Sequence, residues 1–188
     1  MTHSLFQSIK KRLPWLLALL GLGIIVSTVV GAFEKVVAQL TMIMAFQSLI
    51  LDMAGNVGTQ SLAVTIRVLM DENLETSQKW NLVFKEMRVG LCNGLLLGIV
   101  SFVFIGLYIW QFKKYEVIFS FMVSACVGVA LLIAMMISSM VGTLVPMFFH
   151  KMKIDPAVAS GPLITTINDL VAVISYYGLA WLLLLHVV

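Results

Sequence analysis

Charge is scarce in this chain: only 11% of its 188 residues are Asp, Glu, Lys or Arg, divided into 9 acidic and 12 basic. A soluble domain ordinarily carries about 25% charged residues, so a water-facing surface over most of the sequence is excluded. Cysteine is reduced to Cys92 and Cys126, each inside an apolar run with no CxxC partner and no histidine company. That excludes a disulfide framework and a thiolate zinc site, and both read as packing residues. The three histidines, His3, His150 and His186, stand near the ends of apolar runs without ligand spacing and read as interfacial. HExxH, GxSxG and nucleotide-binding loops are missing, so the sequence offers no constellation for an enzyme. The net charge of +3 comes from basic residues flanking apolar runs. They report membrane orientation and form no module for nucleic acid.

What is present is apolar: 61% of the residues are hydrophobic and the mean hydropathy is +1.04. A bilayer core about 30 Å thick takes roughly 20 apolar residues per helical span, which limits the chain to five or six. Open strands would leave backbone groups unpaired in lipid, and no alternating ten-residue pattern occurs, so the fold class is all-α, a polytopic membrane protein. Five transmembrane helices are expected in one domain covering residues 1–188, with spans at about 13–33, 36–70, 88–112, 117–143 and 157–188. The run from Pro14 to Phe33 is longer than a signal-peptide core and lacks a cleavage site, so it reads as a permanent span. Trp15, Trp110 and Trp181 read as interfacial anchors. The twelve methionines are scattered without MxxM clustering and read as core filler.

With the amino terminus inside, the cytoplasmic segments carry Lys10, Lys11, Arg12, Arg67, Lys79, Lys85, Arg88, Lys151 and Lys153. Only Lys35, Lys113 and Lys114 fall outside, an imbalance that satisfies the positive-inside rule. The expected location is therefore the cell membrane, multi-pass, with the carboxyl terminus outside and lipid as a partner. Small residues recur every fourth position at Gly23, Ser27 and Gly31, at Gly90, Gly94 and Gly98, and at Ser120, Ser124 and Gly128. Such rows allow close helix packing, here read as packing within one protomer.

Two acidic residues lie within the expected spans, Asp52 and Asp169. A carboxylate near the middle of a transmembrane helix costs about 2.5 to 3.5 kcal/mol on insertion scales, so each needs water, an ion or a polar partner. Helical spacing sets Gly161, Thr165 and Asp169 along one face, with Thr166 and Asn168 nearby. In the second span Ser48, Asp52, Asn56 and Gln60 recur every four residues, with Gly55, Gly58 and Thr59 among them. Hydrogen bonding between neighbouring helices is one reading of these residues. An oxygen-only site for a hard cation is the other.

The segment Gly55-Asn56-Val57-Gly58-Thr59-Gln60-Ser61 is followed about a hundred residues later by Asp155-Pro156-Ala157-Val158-Ala159-Ser160-Gly161-Pro162 and Thr165-Thr166-Ile167-Asn168-Asp169. These motifs, with Arg12-Leu13-Pro14-Trp15-Leu16 and Phe33-Glu34, resemble the transmembrane domain of the MgtE magnesium channel family, over essentially the whole chain. The resemblance implies a five-helix homodimer whose second and fifth helices line a central cation pathway. It implies that Asp169 holds a largely hydrated Mg2+, helped by Thr165 and Gly161, with Asn56 beside it. Asp52, Gln60, Thr166 and Asn168 are further pore-lining candidates. Family members carry cytoplasmic regulatory domains ahead of this region, whereas only Met1 to Arg12 precede the first span. A naturally short relative or an excised domain is therefore expected, and a separate regulatory protein is the partner that would replace them.

The function expected is passage of a divalent cation, Mg2+ first, with Mn2+, Co2+ and Ca2+ sharing its preference for oxygen ligands. A sodium-coupled carrier and a non-transporting helical subunit are the alternatives.

Overall fold

The computed structural model describes residues 5–34, 38, 41–70 and 75–184. His3 and His186 lie outside them. Among the described residues the chain is all-helical, with five long helices: α1 (Leu5–Ala32), α2 (Thr41–Leu69), α3 (Thr76–Lys113), α4 (Val117–Lys151) and α5 (Pro156–Leu184). Four of them, all but α2, contain stretches long and apolar enough to cross a membrane. With 29 residues α2 has the length, but its polar row lowers its hydropathy.

The helices outreach the apolar runs. α3 starts at Thr76, well ahead of residue 88, because the Gln78 side chain accepts a hydrogen bond from the Glu75 backbone N–H at 2.9 Å and closes the amino-terminal turn. The polar turns that follow carry Lys79, Lys85 and Arg88. α5 opens on Pro156, where a missing amide costs nothing, directly after Asp155. α2 runs unbroken through Gly55 and Gly58, so the polar stretch from Asp52 to Gln60 does not interrupt the helix. The link from α3 to α4 is tight: Lys114 takes the left-handed conformation at φ 60°, and the Glu116 carbonyl accepts from both the backbone N–H and the hydroxyl of Ser120.

α4 is the hub, packed against α2, α3 and α5. Its contact with α3 is made by backbone. A β-carbon added at Gly98 would sit 2.9 Å from the Gly128 carbonyl oxygen, one at Gly128 would sit 2.8 Å from that of Gly98, and one at Gly94 would meet the Leu132 Cα at 2.8 Å. The rows in the third and fourth spans therefore pack within the protomer. The core is continuous from Ile43, Ile50 and Ala54 on α2, through Val123, Val127 and Ala130 on α4, to Ala172, Val173 and Tyr176 on α5.

α1 stands apart. No residue from Leu13 to Ala32 is buried, and nothing approaches a β-carbon placed at Gly23 or Gly31, so its small-residue row goes unused within the protomer. It leans on α5, where the Phe33 ring meets Tyr177 at 5.8 Å, and touches α4 through Trp15 and Phe149 at 6.5 Å.

Candidate functional site

The two faces of α2 have opposite chemistry. Ile43, Ile50, Ala54, Val57, Gly58, Ser61, Thr65 and Leu69 are buried against the bundle. Ser48, Asp52, Asn56, Thr59 and Gln60 are all exposed, meaning uncovered by the rest of the protomer. Among the described residues the only side-chain bond in that row stays within the helix, from the Thr59 hydroxyl to the Asn56 carbonyl at 2.9 Å. These polar groups therefore do not join α2 to a neighbour among the described residues.

The inward face carries a polar knot that fixes α2 against α4 and α5. The Ala54 carbonyl accepts a hydrogen bond from the Asn168 amide at 3.3 Å and another from the Ser138 hydroxyl. Ser138 and Asn168 are almost completely buried. The knot forms because Gly58, one turn from Ala54, has no side chain: a β-carbon there would lie 2.7 Å from the Ser138 hydroxyl. Gly142 of α4 in turn presses on the Gly58 carbonyl.

This knot adjoins Asp169. Its neighbour Asn168 bonds to the Ala54 carbonyl, so Asp169 directly follows the α5 residue that contacts the α2 turn between Asp52 and Asn56. Asp169 is half-buried, and no hydrogen bond engages its carboxylate among the described residues. Thr165, one turn earlier, is exposed and donates to the Gly161 carbonyl at 3.1 Å; half-buried Gly161 has open space where a β-carbon would stand. Gly161, Thr165 and Asp169 thus form one accessible strip on α5.

Thr166 and Asn168 point elsewhere. Thr166 is buried and donates to the Pro162 carbonyl at 3.1 Å, and Asn168 is committed to Ala54. Successive helical residues diverge by about 100°, so nearness in sequence to Asp169 does not carry over to its face.

Other polar contacts escaped the sequence reading. Glu86 sits in the charged stretch before the third apolar run, yet it is buried and accepts a hydrogen bond from Ser61 of α2 at 2.9 Å. The signal was its position one turn before Gly90, on the face that Gly90, Gly94 and Gly98 press against α4. At the other end of α2, Tyr176 donates to the Ile43 carbonyl at 2.9 Å, and Tyr177 donates to the Gln47 side chain at 2.5 Å.

No group of three or more His, Cys, Asp or Glu side chains gathers among the described residues. One protomer therefore offers an ion a single mid-helix carboxylate on α5 and a row of neutral oxygens with Asp52 on α2. That arrangement suits a hydrated cation held through its water shell better than a closed, dehydrated cage.

Residues 47–179 match the family described as MgtE, divalent cation transporter. The chain is 38% identical over 174 residues to the magnesium transporter MgtE of Bacillus subtilis, with 90% of the chain covered. It is 36% identical to the Enterococcus faecalis protein of that name over 93% of the chain, and 32% identical to the one from Thermus thermophilus over 92%. In each case the match covers 36% of the relative's own length.

Proposed function

Because the chain belongs to the MgtE family of divalent cation transporters, we propose that it passes divalent cations, Mg2+ first, along a path that two copies enclose between their α2 and α5 helices. The observation that carries this reading is the uncovered polar row Ser48, Asp52, Asn56 and Gln60, together with the half-buried Asp169 whose neighbour Asn168 bonds to the α2 turn between Asp52 and Asn56. Left facing lipid, Asp52 alone costs about 2.5 to 3.5 kcal/mol at the centre of a helix. A two-fold copy of the same face covers the row with its own polar row and a column of water.

Across that axis the two Asp169 carboxylates supply two negative charges to one divalent ion. With an effective dielectric of about 20 and the ion about 5 Å away across a water, the gross attraction is roughly 6 to 7 kcal/mol per carboxylate. That offsets the burial of two acids. Mg2+ sheds water reluctantly, so a site that holds the hydrated ion avoids most of the dehydration cost and releases its cargo readily. Thr165 and Gly161 widen and polarise the strip on α5, and Asn56 does so on α2.

A coupled carrier would call for a hinge in the path, and the unbroken α2 supplies none at Gly55 or Gly58. The channel reading is accordingly preferred. The positive-inside arrangement then places the amino terminus in the cytoplasm and the carboxyl terminus outside.

Water access tests the lining directly. In a background with Cys92 and Cys126 replaced by alanine, cysteines at positions 56 and 60 should react with a charged, water-soluble thiol reagent in intact membranes. Cysteines at positions 96 and 129, exposed on the outer surfaces of α3 and α4, should not. Equal silence at all four positions would place the α2 row against lipid or protein and overturn the lining.

A further inference from the structure

At the end of the bundle where basic residues concentrate, a cavity of about 460 Å³ opens between the end of α2, the start of α3 and the end of α4. Its floor is apolar, built from Leu69, Val83 and Leu144, one from each helix. Lys79, His150 and Lys151 stand on its lining. Lys151 and His150 are exposed and Lys79 is half-buried, and no ion pair engages either lysine among the described residues. Trp80 and Phe148, also on the lining, are 55% and 57% exposed, so the rim toward the lipid is aromatic.

Two ammonium groups with no ion-pair partner among the described residues, on the rim of an apolar, aromatic-edged cleft, match one kind of molecule: a phosphate-bearing head with hydrocarbon below it. We propose that this cavity is a binding site for an anionic phospholipid, its phosphate between Lys79 and Lys151 and its acyl chains descending past Trp80 and Phe148. Basic pockets between helices at a membrane face take such headgroups, and each basic side chain near an anionic surface adds measurably to binding. The volume falls in the range of small-molecule sites. An indole such as that of Trp80, with one apolar and one wet edge, settles at this depth.

The position gives the lipid a consequence. Leu69 is the last residue of α2, and α2 and α3 have few other contacts. A lipid seated between them ties the inner end of α2 to α3 and α4. The site depends on these residues alone and does not rest on the ion path.

The test counts retained lipid by native mass spectrometry of the purified full chain, after exchange into mixed micelles with equal phosphatidylglycerol and phosphatidylcholine. Wild type should retain phosphatidylglycerol in preference, and Lys79→Gln with Lys151→Gln should weaken that preference roughly thirtyfold, as expected for two basic contacts. Lys79→Arg with Lys151→Arg should keep it. Lys85→Gln with Arg88→Gln removes the same charge from another groove on α3 and should leave the preference in place. Equal retention in the Lys79 and Lys151 glutamine variant would overturn the site, as would an equal loss in the Lys85 and Arg88 variant, which would mean general surface charge. Displacement of the lipid by millimolar inorganic phosphate would also overturn it, because the occupant would then be a free anion.

Discussion

Gly58 of α2 lies so close to Asn168 of α5 that a β-carbon on the glycine would sit 2.5 Å from the asparagine amide nitrogen. The same β-carbon would press on Ser138 of α4, so this one position sets the separation of three helices. The residue after Asn168 is Asp169, so a shift of α5 here also moves that carboxylate.

Gly58→Ala should therefore disturb both stability and transport. Overpacking of this kind costs about 1 to 3 kcal/mol, and relief requires α2 to move away from α5. The expected result is a lower thermal midpoint in detergent together with reduced Mg2+ flux. Gly55→Ala, one turn away but with nothing within 4 Å of its β-carbon position in the protomer, should leave the thermal midpoint near wild type.

The hydrogen bonds around Ala54 are a separate matter. Removing one donor by Ser138→Ala or Asn168→Ala should cost only about 0.6 kcal/mol, the usual value for side-chain bonds between transmembrane helices. Denaturation of the purified variants checks this. A loss of several kcal/mol would mean that the carbonyl depends on those donors far more than bonds of this kind ordinarily allow.

Glu86 and Ser61 form a buried bond between α3 and α2, and their joint removal should be less than additive. A double-mutant cycle with Glu86→Gln and Ser61→Ala should give a coupling of about 0.5 to 2 kcal/mol. Independent effects would mean that the contact adds nothing to the bundle.

Much of this architecture was legible in the sequence, because in lipid the rules are few. Apolar runs of sufficient length became helices, and the rows Gly90, Gly94, Gly98 and Ser120, Ser124, Gly128 became the interface of α3 with α4, as four-residue spacing implies. The ends of helices were less legible: α3 extends back to Thr76 through residues whose polarity marks the edge of a membrane but not the end of a helix. Facing was harder still. Thr166 and Asn168 share a segment with Asp169, yet the structure turns both inward, and only contact with α2 and α4 shows which oxygens are spent on packing. Glu86 shows the converse. Its charge suggested the surface, while its register with Gly90 put it inside.

The most direct test of the ion path is Mg2+ uptake by proteoliposomes holding wild type or Asp169→Asn at equal protein density. Because no hydrogen bond engages the carboxylate among the described residues, the variant should fold and assemble as wild type does. The account predicts rapid wild-type uptake, slowed by competing Mn2+ and Ca2+, and a loss of tenfold or more in the variant, with two carboxylates gone from one site. Undiminished uptake by Asp169→Asn would contradict it and remove Asp169 from the path.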